Sequence, residues 1–288
     1  TPTVAGARPR RRHRRRLTPY EVFRHALLIA ICLASLYPLF FVLITALKTQ
    51  QQYADDSFGL AWPPHFQNFR DALRGGEFFR WFKNSAILTV GSVVVSTGFS
   101  ALAAFAIARM RFYGRTLLLG INVALMIVPP VAMLVPLFIL FTNLELVSTY
   151  RGVIVIYAGL TTPFSVYLLT SFFRTVPNEL VESAVVDGAS SFRILTRIFL
   201  PLSAPALVTL VVVNALWVWN ELLIALVFLP EDELKTLMVG ITVFRSRYNL
   251  DIPVTMAGML LSSLPMIVLY LAGQRYFIRG LVAGALKG

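Results

Sequence analysis

The sequence predicts an all-α membrane protein: six transmembrane helices, both termini in the cytoplasm, and a helical hairpin on one cytoplasmic loop. Three observations carry that expectation. The 288 residues are 57% hydrophobic and 14% charged, with a mean hydropathy of +0.72, whereas a soluble domain carries about 25% charge. Polar-poor windows recur at 26–47, 84–108, 117–142, 152–172, 202–228 and 254–274. Each has the length, about 20 residues, that crosses roughly 30 Å of hydrocarbon; a soluble helical core does not often repeat uncharged helices of this size. Finally, with the N-terminus inside, segments 1–25, 109–116, 173–201 and 275–288 hold 17 of the 26 Lys and Arg, and segments 48–83, 143–151 and 229–253 hold 9. That split is the one the positive-inside rule favours.

Residues 1–25 form a basic cytoplasmic tail and residues 26–288 one six-helix transmembrane domain that includes the hairpin at 177–201. The tail holds eight basic residues, with Arg10, Arg11, Arg12, Arg14, Arg15 and Arg16 in one cluster. The net charge of +12 therefore reads as attraction to anionic membrane lipids, about 1 kcal/mol per charge near the surface, and not as nucleic-acid binding. The basic stretch and the apolar run after it are too long for a cleaved signal peptide, so the first span is expected to remain as an anchor. Cys32 is the only thiol, and His13, His25 and His65 are scattered without metal-ligand spacing. No GxxxxGK[ST], HExxH or GxSxG stands in the chain. The chain is accordingly expected to be no enzyme and to bind no cofactor or metal of its own.

Within the spans, Ser92, Ser96, Ser100, Ala104 and Ala108 recur at every fourth position of the second. They form a small-residue ridge that admits close helix approach, within this subunit or against another. Prolines interrupt the third span (Pro129, Pro130, Pro136), the fourth (Pro163) and the sixth (Pro265), and each removes a backbone donor. The Pro129-Pro130 pair marks the best candidate for a break facing the bundle interior, where protein or a water-lined path satisfies the freed carbonyls. The fifth span carries Asn214 and then Trp217-Val-Trp219-Asn220-Glu221. Glu221 is expected about 10 Å below the outer end of that span. A carboxylate at such depth faces protein or water, so Asn220 and Glu221 line the outer mouth of a pathway or join helices.

The hairpin is the most informative segment. Pro177-Asn178-Glu179 is a helix start in which Asn178 caps, Glu179 and Glu182 sit near the positive end of the dipole, and Gly188 ends the turn. Leu180, Ala184 and Val185 are expected on one face. A second short helix begins at Ser190 or Ser191, with Phe192, Leu195 and Phe199 on one side and Arg193 and Arg197 on the other. A hydrophobic centre ringed by charge suits docking of a cytosolic partner.

These residues resemble the EAA signature of membrane subunits of ATP-driven (ABC) importers, EAA-x3-G-x9-I-x-LP. Glu182, Ser183, Ala184, Gly188, Ile198, Leu200 and Pro201 match it with every spacing kept, and only Ser183 departs from the pattern. Over nearly its whole length the chain is similar to the MalG-like permeases of bacterial carbohydrate importers. The supporting phrases are Asn84-Ser85, Ala108-Arg109-Met110-Arg111-Phe112-Tyr113-Gly114-Arg115, Trp217 to Glu221, and Gln274 to Gly288. The resemblance implies a multi-pass permease subunit of the inner (plasma) membrane, working by alternating access with a second related permease subunit. It implies two cytoplasmic ATPase subunits, which would bind the ATP and Mg, and an extracytoplasmic sugar-binding protein. Residues 179–187, from Glu179 to Asp187, would be the coupling helix seated in an ATPase cleft, and the tail 281–288 would reach toward the ATPase pair. The competing readings are a channel subunit or an ABC importer subunit for a solute other than sugar; no repeated filter or ring of like charge favours the channel.

Overall fold

The computed structural model describes residues 18–74, 76–247 and 251–285, excepting the side chains of 243–247 and 275–285. The arginine cluster and the last three residues of the tail 281–288 lie outside the described residues. The described chain is helical and free of strands. In order run α1 Pro19–Ala46, α2 Gln50–Asp55, α3 Gln67–Leu73, α4 Glu77–Arg109, α5 Arg115–Leu125, α6 Pro130–Asn143, α7 Tyr150–Phe173 and α8 Asn178–Val186. Then come α9 Ser191–Ile194, a π-turn Leu195–Phe199, α10 Leu200–Leu202, α11 Ala204–Asn220, α12 Leu223–Phe228, α13 Leu237–Arg247 and α14 Ile252–Ala285.

Short polar residues start these helices by satisfying free backbone donors. Thr18 forms a capping box with Glu21 at α1, Thr49 does so with Gln52 at α2, and the hydroxyls of Thr149 and Ser190 cap α7 and α9. Helix α1 begins at Pro19, so it reaches back into the stretch 1–25. Four helices are long and apolar enough to cross a membrane alone: α1, α4, α7 and the segment Ile252–Gln274 of α14. The other two windows are broken. The third bends by 102° between α5 and α6, at the proline pair: Pro129 is extended and Pro130 opens α6. The chain bends again, by 80°, between Ser191–Leu202 and α11. The fifth window does not run on to 228, because α11 stops at Asn220, Glu221 is extended and α12 resumes at Leu223.

Helices α4 and α7 pack along each other as the spine, with α11 against both, and α14 joins through α11 and α13. The ridge of Ser92, Ser96, Ser100 and Ala104 is buried. It faces α7: the hydroxyl of Thr161 donates to Ser96 Oγ at 2.9 Å, and a Cβ on nearby Gly91 would lie 2.7 Å from Ile154 Cδ1. The hydroxyls of Ser92 and Ser100 are buried without a hydrogen-bond partner, so their contribution to this close approach is small size. Asn214 of α11 donates to Ser165 Oγ at 2.8 Å and completes a polar layer across α4, α7 and α11. Apolar clusters lie on both sides of it, one of Ala104, Phe105, Leu169, Phe173, Phe199 and Leu210, the other of Leu88, Phe141, Ile156, Tyr157, Val218 and Phe228. Helix α1 is almost wholly exposed and rests on α14.

Candidate functional site

The hairpin is built on the first apolar cluster. Val181 and Ala184 of α8 pack against it, together with Ala189, Ile198 and Leu200, while Leu195 and Phe199 are fully inside. Of the three residues expected on one face, Ala184 turns inward beside Val181 while Leu180 and Val185 do not. Leu180, Val185, Val186 and Phe192 instead point outward, Val186 and Phe192 being 86% and 67% exposed. Glu179, Glu182, Asp187 and Gly188 are exposed around them. The outer surface thus has apolar side chains ringed by carboxylates and by Arg193 and Arg197, the composition of a docking patch.

Backbone geometry fixes the turn. Gly188 sits at φ +73°, Ala189 N–H donates to Ala184 O at 2.9 Å and Gly188 N–H to Val185 O at 3.0 Å. These two bonds close a Schellman motif, which satisfies the last carbonyls of α8 and favours glycine at this residue. A Cβ on Gly188 would meet nothing within 4 Å; the glycine is set by the backbone angle and leaves open space before it. Ser183 donates to Glu179 O at 2.7 Å, so its hydroxyl is satisfied within the helix. The signature's end forms the π-turn, in which Leu200 N–H reaches back to Leu195 O; Pro201 follows, exposed, before the bend into α11.

Asn178 does not cap α8. Pro177 occupies the cap position, and Asn178 Oδ1 accepts from Arg109 Nη1 at 2.6 Å. The same guanidinium donates to the carbonyls of Phe173 and Val176 and lies 5.1 Å from the Phe199 ring centroid. Arg109 is the residue whose contacts sequence reasoning missed here: it entered as a loop charge and as part of the phrase Ala108 to Arg115, with no tie to the hairpin.

At the opposite end of the spine, Asn84 Nδ2 donates to Glu233 O at 2.8 Å and Lys235 O at 2.9 Å, and its Oδ1 accepts from Tyr150 OH at 2.7 Å. Ser85 Oγ accepts Leu237 N–H at 2.9 Å. The 233–237 segment is thereby clamped across α4 and α7. Glu221 is near this end. Its carboxylate accepts from Tyr157 OH at 2.8 Å, Ile224 N–H at 3.0 Å and Ala225 N–H at 3.2 Å. These bonds cap the first turn of α12 and tie it to α7, the helix-joining arrangement. Asn220 is exposed and lines a groove of about 540 Å³ with Trp219, Thr242, Ser263 and Tyr270. Asn214 is buried away from it. Pro130 lines a second groove, of about 530 Å³, with Pro163 and Trp217; Pro129 is exposed at the bend. The structure therefore brings the hairpin residues together and distributes the expected pathway residues over separate places.

No group of three or more His, Cys, Asp or Glu able to hold a metal occurs among the described residues. The described chain is thus a bundle of apolar helices with a short helical hairpin exposed on its spine. Residues 96–282 match the family model of the binding-protein-dependent transport system inner membrane component, and the chain belongs to that family. It is a multi-pass inner-membrane permease subunit of an ABC importer, not an enzyme. It is 32% identical over 90% of its length to the melibiose/raffinose/stachyose import permease protein MelC of Bacillus subtilis (strain 168), covering 94% of that protein. It is 36% identical over 74% of its length to the trehalose/maltose transport system permease protein MalG of Thermococcus litoralis, covering 77% of it. A solved bacterial ABC transporter that imports the acidic polysaccharide alginate has a chain that superposes with a TM-score of 0.79, at 25% identity over 90% of this chain and 96% of that one.

Proposed function

We propose that this chain is one of two related permease subunits of an ATP-driven sugar importer. Two cytoplasmic ATPases bind ATP and Mg beneath it, and an extracytoplasmic binding protein delivers sugar to the opposite face. The hairpin carries this reading: Glu182, Val186, Gly188 and Phe192 present an exposed apolar patch ringed with charge on a turn rigidly joined to the bundle. Closure of the ATPases displaces the hairpin, the bundle rocks against its partner, and one cavity passes from inward- to outward-facing. The sugar assignment rests on the named substrates of the relatives MelC and MalG. In this arrangement Asn220, beside Trp219 and Tyr270, is the polar group that an incoming sugar meets on this subunit, and Glu221 braces α12 behind it. The basic tail 1–25 holds the inner leaflet.

The test is reconstitution of the complex in liposomes with labelled mono- and disaccharides. ATP-dependent uptake of at least one, with ATPase subunits co-purifying with this chain, is the expected result. Uptake that proceeds without ATP, or a chain that retains no ATPase, would defeat the proposal.

A further inference from the structure

We infer that Arg109 is a positioning residue that fastens the coupling hairpin to the membrane helices, so that hairpin, α4 and α7 move as one body. The inference rests on the coupling role proposed above. Only residues 174–177 connect α7 to α8; Val176 and the inward face of the hairpin pack on the bundle by apolar contact alone, so this short joint is where hairpin displacement would be absorbed if no directional bond held it. The guanidinium closes this hinge. It projects from the last residue of α4, and its Nε and Nη2 donate to Phe173 O, the end of α7. Nη2 also donates to Val176 O in the linker and Nη1 to Asn178 Oδ1, the start of α8. Its face covers the ring of Phe199 in the π-turn. Phe199 is fully buried, with edge contacts to Phe105 of α4 at 5.1 Å and Phe173 of α7 at 5.3 Å. One side chain thus joins four pieces of the joint.

The chemistry requires arginine. A planar fork with five donors reaches two carbonyls and an amide oxygen while stacking on an aromatic face; lysine offers a point charge on a flexible stem. The cation also sits against the free carbonyls at the C-terminus of α7, where the helix dipole favours it. Removing it would free the linker and let hairpin displacement be absorbed there.

The experiment uses the full importer in liposomes and measures sugar moved per ATP hydrolysed, together with stimulation of hydrolysis by the loaded binding protein. Arg109→Gln is expected to assemble and hydrolyse ATP while the sugar-per-ATP ratio falls by about tenfold or more, the scale set by losing charge-assisted hydrogen bonds. Arg109→Lys should recover little. Asn178→Ala, which removes one exposed attachment, should lower the ratio in the same direction by a smaller factor. An assembled Arg109→Gln complex with the wild-type ratio overturns the inference. If Arg109→Gln does not assemble, Asn178→Ala decides, and an unchanged ratio there assigns Arg109 to folding alone. Gly188→Leu is the control for the underlying role: if it leaves ATPase binding intact, the coupling assignment itself fails, whatever Arg109 does.

Discussion

Gly188 combines a left-handed backbone with empty space before it, and the two can be separated by substitution. Gly188→Leu strains the turn by about 1–2 kcal/mol and fills the space into which an ATPase would dock, so sugar-stimulated hydrolysis should collapse while membrane insertion persists. Gly188→Asn tolerates the same angle and should retain more of that stimulation. Equal loss in both would mean that volume alone matters. Glu182→Ala, which removes an exposed charge, should weaken docking less than Gly188→Leu does; co-purification of the ATPase measures it. Asp56 offers a pH test at another loop. Its carboxylate accepts from Phe58 N–H at 3.0 Å and Gly59 N–H at 2.8 Å, and the Gly59 bond first, then the Phe58 bond, hold its pKa below the ordinary carboxylate value. The order that these bonds impose is fully present above the unfolded pKa, near 4, and is lost as pH falls through the lowered value. Protection of the Phe58 and Gly59 amides, taken relative to their intrinsic exchange rates, should therefore hold down to about pH 4 and fall below it; Asp56→Ala should abolish the transition.

Helix starts and stops were legible wherever one residue type dictates the geometry: Ser190 before α9, the proline pair at the break between α5 and α6, Gly188 as a stop. What the sequence hid were contacts made across the fold. Arg109 and Asn84 stood out only as parts of family phrases, and each acts on backbone carbonyls that sequence does not label, so neither contact was legible. Glu221 was placed by depth along a continuous helix, and its own cap on α12 breaks that helix. The face shared by Leu180, Ala184 and Val185 is split in the structure, where Ala184 packs inward with Val181 and the two larger side chains stay exposed. Close approach can be tested at the start of α7, where a Cβ on Gly152 would lie 2.1 Å from Leu146 O. A backbone carbonyl cannot swing aside as a side chain can, so Gly152→Ala should cost about 1–3 kcal/mol. Thermal unfolding in detergent would register it, and an unchanged midpoint would show that the 144–149 loop yields freely.

Composition and window length were enough to announce a helical membrane bundle, because hydrocarbon imposes both on any chain that crosses it. Orientation rests on charge placement. Reporter fusions after residues 16, 60, 112, 148, 185, 232 and 288 should read in, out, in, out, in, out, in. An outside signal at 112 or 185 would invert the arrangement and put the hairpin out of reach of any ATPase. The packing partner of α1 was not legible: its run from residue 26 on is uniformly apolar and names no face, and in the structure it leans chiefly on α14, with Asn68 of α3 bonded to its last carbonyl and most of its surface uncovered.

The seam of Ser92 and Ser96 has a mechanical consequence. It lies near the middle of α4, a rod of roughly 50 Å at 1.5 Å per residue, gripped by Arg109 at one end and by Asn84 and Tyr150 toward the other. Arg109 and Tyr150 tie the two extremities of α4 to α7, and Thr161 ties Ser96 at the centre, so the two helices form one stiff beam. A rod of this kind behaves as a seesaw with nearly equal arms: a push of a few ångströms at the hairpin returns a similar motion, opposite in sense, at the far mouth. In the proposed alternating-access cycle, one gate would then shut as the other opens without any wire of side chains between them. Spin-label distances from each end of α4 to the partner permease should change with opposite sign and comparable size when ATP binds; changes of the same sign would mean that the rod translates and does not pivot.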